Sequence, residues 1–356
     1  MKKMARILCA ILTLALAFSL MAMSAAADPD PDTDTNTKKA SFTVDLTVTG
    51  DKKPTVTFKY AISDPVCISE PAGTNTTDYV TGSAPTVGEA AFAAEVAQKT
   101  VTVDFSATVF NVPGAYRYTI TATDPAVAGV ELGVSTFYLD VYVSQSDCEG
   151  GLKYNYVFHT DSEAKAFAEL AGGKKITGIT NTYASYDLTV SKTVTGNQGD
   201  INKYFKVTVT SAMPAGKAYP YGDETAYTVD ITGAEANPTA SASTIYSEMT
   251  NPATVIATKL AAGVDFYLKN GQSIVIKGLP KGATYSVTEA NEGYTQSPEG
   301  AIAGAIGGAA ATAAFTNNKQ GTIPTGVVLG TVSGIALLAG GAFGIVAIKR
   351  RKNGED

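Results

Sequence analysis

The chain has 356 residues, a formal net charge of −6 and a single histidine. The acidic balance argues against a nucleic-acid partner, because binding to phosphates requires a basic surface. One histidine leaves almost no material for histidine-based catalysis or a histidine-rich metal site, so we expect no metal and no cofactor. We expect His159 itself to be a surface residue at the end of a strand.

The N-terminal residues 1–27 have the three parts of a signal peptide. Basic residues precede an apolar run from Ile7 to Met23, and the segment ends with three alanines. This order predicts export and cleavage after Ala27. Residues 28–39 are rich in Asp, Pro and Thr, and we expect them to form a disordered leader.

The composition of the remaining chain predicts an all-β protein. Thr, Val, Tyr and Gly are abundant, Trp is absent, and apolar residues alternate with polar ones in short runs. This pattern is typical of β-sandwiches, and the length suits two domains rather than one. We therefore expect two tandem immunoglobulin-like β-sandwich domains.

An internal repeat places the two domains along the chain. The segment at 42–50 matches the segment at 188–196, and both end in Thr-Val-Thr-Gly. Further on, Ile-Thr-Asn at 179–181 matches Phe-Thr-Asn at 315–317. Each domain thus opens and closes with a matching strand, which indicates two related units. Their expected bounds are residues 40–183 and 184–320.

Strand alternation puts a polar side chain on the core face of three strands in the second domain. Residues two apart in a strand share a face. The three faces are Leu188-Val190-Lys192, Tyr285-Val287-Glu289 and Ala313-Phe315-Asn317. Because the other members of each face are apolar or aromatic, we expect Lys192, Glu289 and Asn317 to be buried.

Three buried groups of these types can form a covalent crosslink. Burial favours a neutral Lys192 and a protonated Glu289. A neutral amine can attack the Asn317 carboxamide while the acid moves protons and polarises the carbonyl. The product would be an intramolecular Lys–Asn isopeptide bond, formed with loss of ammonia. A buried polar network satisfied by hydrogen bonds alone, or an incorrect strand register, is the alternative interpretation.

The C-terminal residues 321–356 resemble a sortase sorting signal. The motif Ile323-Pro324-Thr325-Gly326 is followed by an apolar run over 327–348 and a basic tail over 349–356. At about 1.5 Å per residue the run would form a helix of about 33 Å, which can cross the hydrocarbon core of a membrane. The resemblance implies cleavage between Thr325 and Gly326, a thioester on Thr325 and transfer to an amine. An ordinary membrane anchor is the alternative.

With these features the chain resembles the major pilins of group A streptococci and their relatives, which share a pilin isopeptide linkage domain. The similarity rests on residues 113–118, 139–143, 188–192, 279–289 and 315–317. It implies immunoglobulin-like sandwiches whose subunits polymerise into pili. A pilin-class sortase would join the C-terminal Thr of one subunit to a Lys of the next.

The resemblance also implies where the receiving lysine lies. In these pilins it stands just before the closing strand of the first domain, and here Ala-Gly-Gly-Lys-Lys occupies residues 171–175. Lys174, seven residues before Asn181, is the predicted acceptor, and Lys175 is the alternative. The alternative interpretation is that both lysines are solvated surface residues without a role.

The first domain departs from the pilin pattern. Leu46 stands in the place of the nucleophilic lysine, Ala122 stands in the place of the acid, and only Asn181 matches. We therefore expect no isopeptide bond at this site. Replacing both groups by apolar residues is physically coherent, because losing the lysine alone would leave a buried acid without its partner.

A disulfide could secure the first domain instead. Cys67 and Cys148 are the cysteines of the mature chain, and an exported protein meets an oxidising environment. The bond would close a loop of about 80 residues and contribute about 3 to 4 kcal/mol. It requires Cα atoms about 4.4 to 6.8 Å apart, so two separate thiols are the alternative.

Together these features predict a structural shaft subunit of a covalently polymerised surface pilus, with no external substrate. The expected partners are a pilin-class sortase, identical subunits and cell-wall peptidoglycan, which a housekeeping sortase would join. The sequence leaves open whether a host surface ligand is a further partner. The protein would be secreted, held transiently at the membrane, and then found in the cell wall or pilus. A monomeric wall-anchored adhesin or accessory pilin that binds a host ligand is the alternative. An anchored enzyme is disfavoured, because no nucleophile motif or metal cluster is present.

Overall fold

The structure is a computed structural model that describes residues 38–50, 52–68, 79–93, 96–145, 151–162, 174–222, 226–233, 249 and 251–322. The signal peptide, nearly all of the leader, Cys148 and the segment that holds the sorting motif, apolar run and basic tail lie outside these residues. Within the described ranges, no helix has the length and apolar character needed to cross a membrane. No metal-binding cluster of His, Cys, Asp or Glu occurs among the same residues.

The strands of the first domain form two main sheets, and β4 and β8 form a separate two-stranded sheet. Its strands are β1 Lys39–Thr49, β2 Val56–Ile62, β3 Val66–Cys67, β4 Val80–Gly82, β5 Thr86–Val87, β6 Ala90–Phe92, β7 Gln98–Asp104, β8 Thr108–Phe110, β9 Gly114–Thr123, β10 Val130–Glu131, β11 Thr136–Gln145, β12 Leu152–His159, β13 Lys175–Ile176 and the first half of β14 Gly178–Thr195. One sheet has the order β14-β1-β7-β5, and the other has the order β13-β12-β11-β9-β2-β6.

An aromatic core fills the space between these two sheets. Phe42 of β1 contacts Tyr60 and Phe137 of the opposite sheet in edge-on geometry, with ring centroids 5.3 and 5.1 Å apart. Such contacts add to the burial of large apolar surfaces. The predicted all-β sandwich is therefore confirmed for this domain.

The second domain repeats this plan. Its elements are the second half of β14, then β15 Phe205–Ala212, β16 Ala226–Thr232, β17 Thr254–Ile256, helix α1 Ala257–Ala262, β18 Val264–Leu268, β19 Ser273–Pro280, β20 Thr284–Glu289, β21 Thr295–Ser297, β22 Ile302–Ala305 and β23 Ala311–Asn318. One sheet contains β17-β16-β19-β14, with β23 paired to β14, and the other has the order β18-β15-β20-β22. The last strand, β23, lies parallel to the opening strand β14.

Strand β14 belongs to both domains. It runs parallel to β1 up to Ala184 and pairs with β19 from Ser185 onward. The register against β19 shifts between Tyr186 and Leu188, which marks a bulge. Buried positions are odd-numbered before this bulge and even-numbered after it. Because one extra residue reverses the facing of all later side chains, a single strand can serve two separate cores.

Side-chain contacts near β14 also join the two domains. The hydroxyls of Tyr183 and Tyr221 lie 2.9 Å apart, and the Tyr183 ring is buried. Two ion pairs cross the same boundary, Lys217 with Asp124 at 2.6 Å and Lys281 with Glu131 at 2.7 Å. Exposed ion pairs contribute little each, so the continuous strand and the buried tyrosine carry most of the connection.

Candidate functional site

The core of the second domain contains a buried lysine. Lys192 lies in β14, on the same face as Leu188 and Val190, and only 1% of its surface is exposed. Its Nζ is 4.3 Å from the centre of the Phe205 ring. A desolvated ammonium gains from such a cation–π contact, but the contact does not supply a hydrogen-bond acceptor. A buried lysine therefore needs a further partner.

That partner is Glu289, at the end of β20 in the opposite sheet. Lys192 Nζ donates a hydrogen bond to Glu289 Oε1 at 2.8 Å, and both side chains are fully buried. The other carboxyl oxygen, Oε2, is buried and accepts no hydrogen bond from the described residues. The pair thus leaves one carboxyl oxygen available for a third group.

Asn317 of the last strand is that third group. In the parallel pairing of β14 with β23, Lys192 lies opposite Phe315 and Val194 lies opposite Asn317. Asn317 is therefore the diagonal neighbour of Lys192 on the same face, a spacing that a long side chain can span. Asn317 is completely buried, and neither amide atom forms a hydrogen bond of ordinary geometry within the described part of the chain. An unsatisfied buried amide is costly and calls for an explanation.

Burial moves both ionisable groups toward their neutral forms. It lowers the pKa of Lys192 below its usual value, although the hydrogen bond that Lys192 donates to Glu289 acts in the opposite direction. Burial also raises the pKa of Glu289, and the contacts with Lys192 and with the nearby Asn317 amide only partly oppose this rise. A neutral amine beside a protonated acid and a carboxamide is the set of reactants for amide exchange.

A second ion pair lies near the site, and sequence reasoning missed it. Lys203 pairs with Glu292 at 2.7 Å, and both side chains are largely buried. Lys203 also lies 5.5 Å from the centre of the Phe205 ring, the ring that Lys192 contacts from 4.3 Å. Glu292 has a left-handed backbone, with φ of 49°, in the loop after β20. Alternation patterns do not extend into such loops, so no sequence signal marked this pair.

The matching site of the first domain is apolar. Lys192 pairs with the residue two before Asn317, and in the first domain Val44 pairs with the residue two before Asn181. The strand register therefore makes Val44 the counterpart of Lys192. The sequence repeat instead aligns Leu46 with Lys192. Both residues are buried, so the place of the nucleophile is apolar by either criterion. Asn181 is fully buried, and its Oδ1 accepts a hydrogen bond from the Gly133 N–H at 3.1 Å.

The expectation that His159 is a surface residue is wrong. Its side chain is completely buried, and its Nε2 lies 3.1 Å from Asp140 Oδ2. Asp140 is in turn held by Arg117, which donates from Nε at 2.7 Å and from Nη2 at 2.8 Å. The strand end that carries His159 is covered by neighbouring strands, and a short-range pattern does not reveal such long-range packing.

Asp140 stays ionised within this buried cluster. Burial would raise the pKa of its carboxyl, but hydrogen bonds from Arg117 and His159 outweigh that effect and hold the pKa below its usual value. The same contact with Asp140 raises the pKa of Arg117. Buried charges are stable only when paired in this way.

Lys174 and Lys175 lie beside this cluster. Lys174 Nζ donates to Asp161 Oδ2 at 2.6 Å, and the Lys174 side chain is 53% exposed. Lys175 is also exposed, and it lies opposite His159 in the pairing of β12 with β13. Both amines are therefore accessible, and the choice of acceptor stays a prediction. Cys67 lies in β3 opposite Tyr116, and the predicted disulfide is untested because Cys148 lies outside the described residues.

Comparison with known proteins supports the resemblance stated above. The chain is 27% identical over 277 residues to a pilin of Streptococcus pyogenes serotype M1, covering 72% of each protein. The crystal structure of the major pilin from Streptococcus pyogenes matches with a TM-score of 0.52 and 21% identity, over 80% of this chain and 100% of that one. A mutant of that pilin matches with the same TM-score, coverage and 23% identity. Residues 186–319 match a family described as a domain of unknown function, DUF7601.

These matches confirm two predictions. The chain is similar to a streptococcal pilin in sequence, and its fold is that of the streptococcal major pilins, with two sandwiches in tandem. Sequence identities near 20% to the solved structures establish the fold alone. Crosslink, acceptor and sorting signal remain predictions that rest on the residues themselves.

Proposed function

We propose that this chain is the structural subunit of a covalently polymerised surface pilus, stabilised in its second domain by an autocatalytic Lys192–Asn317 isopeptide bond. The observation that carries the proposal is the buried contact of Lys192 with Glu289 beside an Asn317 amide that lacks hydrogen-bond partners. The similarity to a streptococcal pilin adds the biological setting.

The crosslinking chemistry follows from the positions of these three groups. Glu289 takes a proton from Lys192 Nζ, and the neutral nitrogen attacks the Asn317 carbonyl carbon. The protonated acid then polarises the carbonyl oxygen and delivers its proton to Nδ2, which leaves as ammonia, and the resulting carboxylate takes the second proton from Nζ as the new amide forms. A new amide replaces the old one, so the reaction needs no oxidant, metal or cofactor. The site lies in a dry core, where the reactants are held at fixed positions.

A mechanical role follows from the strands that the bond would join. Lys192 lies in the opening strand of the domain and Asn317 in its last strand, and the two strands run parallel as neighbours. Pulling on the two ends of a subunit loads this pair of strands in shear. A covalent bond between them would prevent the domain from unravelling, which suits a shaft under tension.

Linkage between subunits would use the C-terminal motif and an exposed lysine. A pilin-class sortase would cleave after Thr325 and pass its acyl group to Lys174 of the next subunit. Lys175 is exposed as well and provides a matched control. The last subunit would pass to peptidoglycan through a housekeeping sortase.

A ladder of SDS-resistant multimers in cell-wall extracts tests the polymer directly. The wild-type chain should give the ladder, Lys174→Ala should leave monomers, and Lys175→Ala should behave as wild type. A ladder that persists in Lys174→Ala and vanishes in Lys175→Ala would move the acceptor by one residue. Monomers alone in the wild type would contradict the polymer and favour the wall-anchored adhesin.

A further inference from the structure

The amine of Lys174 is held in place by a carboxylate that is much less exposed than the amine itself. The Lys174 side chain is 53% exposed, whereas that of Asp161 is 14% exposed, and the two atoms lie 2.6 Å apart. Ordinary surface ion pairs join two mobile, solvated side chains and contribute little to stability. Here the Asp161 carboxylate is nearly buried, whereas the Lys174 amine that it holds faces solvent.

The turn that carries Asp161 is fixed at three points. Arg117 Nη1 donates to the Ser162 carbonyl at 3.2 Å, and the Asp161 backbone N–H donates to His159 Nδ1 at 3.3 Å. In addition, the Thr160 backbone N–H donates to the Lys174 carbonyl at 3.1 Å. These bonds tie the backbone of the acceptor lysine to the turn that provides its carboxylate.

The anchor of this turn is the buried charge cluster of the first domain. Arg117 and His159 both contact Asp140, which is completely buried. The Tyr138 ring stacks against His159, with ring centroids 5.5 Å apart, and Arg117 lies 5.7 Å from the same ring. Since these side chains are packed in one arrangement, they hold Asp161 in one arrangement as well. A rigid support of this kind is what positions a reacting group.

We propose that Asp161 positions the amine of Lys174 for acyl transfer and accepts a proton from it when the sortase-bound Thr325 acyl group arrives. Arg117, Asp140 and His159 act through Asp161 as positioning residues. This inference rests on the proposed function, since it deepens the role of Lys174 as acceptor.

The transfer step balances with these groups. The Lys174 ammonium gives one proton to Asp161 Oδ2, which later releases it to solvent. The neutral Nζ attacks the thioester carbonyl carbon, a C–N bond forms and the C–S bond breaks. The attacking nitrogen loses a second proton, which neutralises the departing sortase thiolate. Approach of the enzyme excludes water from the pair, and this favours proton transfer to the carboxylate because desolvation disfavours the charged forms of both groups.

The test compares the wall-extract ladders of Asp161→Asn and Asp161→Glu in full-length chains expressed in the host strain. Proton acceptance typically contributes about 10²- to 10⁴-fold in rate, so Asp161→Asn should reduce multimers by at least about tenfold. Asp161→Glu should restore a substantial part, because it returns the carboxylate. Asp265→Asn removes the carboxylate of the exposed Lys206–Asp265 pair and should leave the ladder unchanged.

Two measurements on purified protein separate positioning from folding. Asp161→Asn should unfold within a few degrees of wild type, and a small N-hydroxysuccinimide ester should still acetylate its Lys174, which shows that the amine stays accessible. Loss of the ladder together with a lower unfolding temperature and an unlabelled Lys174 would overturn the inference in favour of a purely structural role. So would failure of Asp161→Glu to restore multimers.

Each remaining outcome has its own meaning. A full ladder in Asp161→Asn, with none in Lys174→Ala, would refute the role of Asp161 and leave the pilus subunit intact as a proposal. A ladder in Lys174→Ala would refute the acceptor and the inference together. Absence of multimers in the wild type would contradict the proposed function itself.

Discussion

The two domains share one architecture and differ in how they use buried polar groups. In the second domain, Lys192, Glu289 and Asn317 lie between the opening strand and the last strand, where a bond would resist tension. In the first domain the equivalent strands carry apolar residues with Asn181, and the buried charges lie in the other sheet. Similar sandwiches thus hold a set of reactants in one case and a permanent ion cluster in the other.

The cost of an unpaired buried charge favours a domain that has both ionisable groups or neither. A buried acid without its lysine would be costly, and a buried lysine without its acid equally so. The first domain has neither, and Val44, Leu46 and Ala122 are packed as ordinary core residues. Asn181 is tolerated in this apolar core because its neutral amide accepts a hydrogen bond from the Gly133 N–H.

The largest expected effect comes from Glu289→Ala. Without the acid, Lys192 cannot pass its proton, so the purified variant should keep its full sequence mass. Loss of a tie that closes a loop of about 100 residues or more should lower the free energy of unfolding by about 4 to 5 kcal/mol, by analogy with a disulfide. Calorimetry and protease digestion measure this loss.

A matched carboxylate outside the site provides the control for that experiment. Glu131→Ala removes the exposed partner of Lys281 and should keep both the bond and the unfolding temperature. If Glu289→Ala lost one ammonia as well, the proposed proton transfer would be wrong.

A smaller effect is expected in the first domain from Asp140→Asn. The change leaves Arg117 buried beside a neutral amide, and breaking such a pair typically costs about 3 to 5 kcal/mol. The intact mass should still be one ammonia below the sequence mass, because the second domain is untouched. A destabilisation under about 1 kcal/mol would show that the cluster contributes little.

The same carboxylate predicts how the first domain responds to acid. The folded-state pKa of Asp140 is lowered relative to the unfolded chain, so its contribution is fully present above about pH 4. It is lost as the pH falls through the lowered value, because the unfolded state binds the proton more readily. Unfolding followed from pH 7 to pH 2 should show this loss in wild type and a weaker one in Asp140→Asn. Equal slopes in the two proteins would contradict the assignment.

The smallest effect is expected from Asn181→Ala, which is the comparison for Asn317→Ala in the second domain. Asn181→Ala removes the acceptor of the exposed Gly133 N–H and should cost about 0.5 to 1.5 kcal/mol with no change in crosslinking. Asn317→Ala cannot form the crosslink, so its mass should equal its own sequence mass, whereas the wild-type mass should be one ammonia below its sequence mass. Mass spectrometry of both variants makes the comparison. Retention of the crosslink in Asn317→Ala would locate it at another residue.

Strand alternation was sufficient to predict the buried residues of the second domain. The facing of Lys192, Glu289 and Asn317 follows from a period of two, and their burial is confirmed. The repeat likewise revealed two related sandwiches, because both opening strands end in the same four residues. Such signals are local, so they can be read from one sequence.

Long-range pairing could not be read in the same way. The sequence predicts a strand-end surface residue at His159, yet its buried side chain lies beside Asp140 of the neighbouring strand, which Arg117 holds in turn. The contact of Asp161 with Lys174 joins residues separated by a segment outside the described ranges. The register of β1 against β14, which brings Val44 rather than Leu46 to the nucleophile position, also depends on tertiary pairing.

The intact mass of the mature protein, measured after denaturation and reduction, tests the central contrast between the domains most directly. We predict a mass one ammonia below that of the sequence, with a single crosslinked peptide that contains Lys192 and Asn317. A mass equal to the sequence mass would contradict the crosslink in the second domain. A loss of two ammonias, with a second crosslinked peptide that contains Asn181, would contradict the apolar assignment of the first.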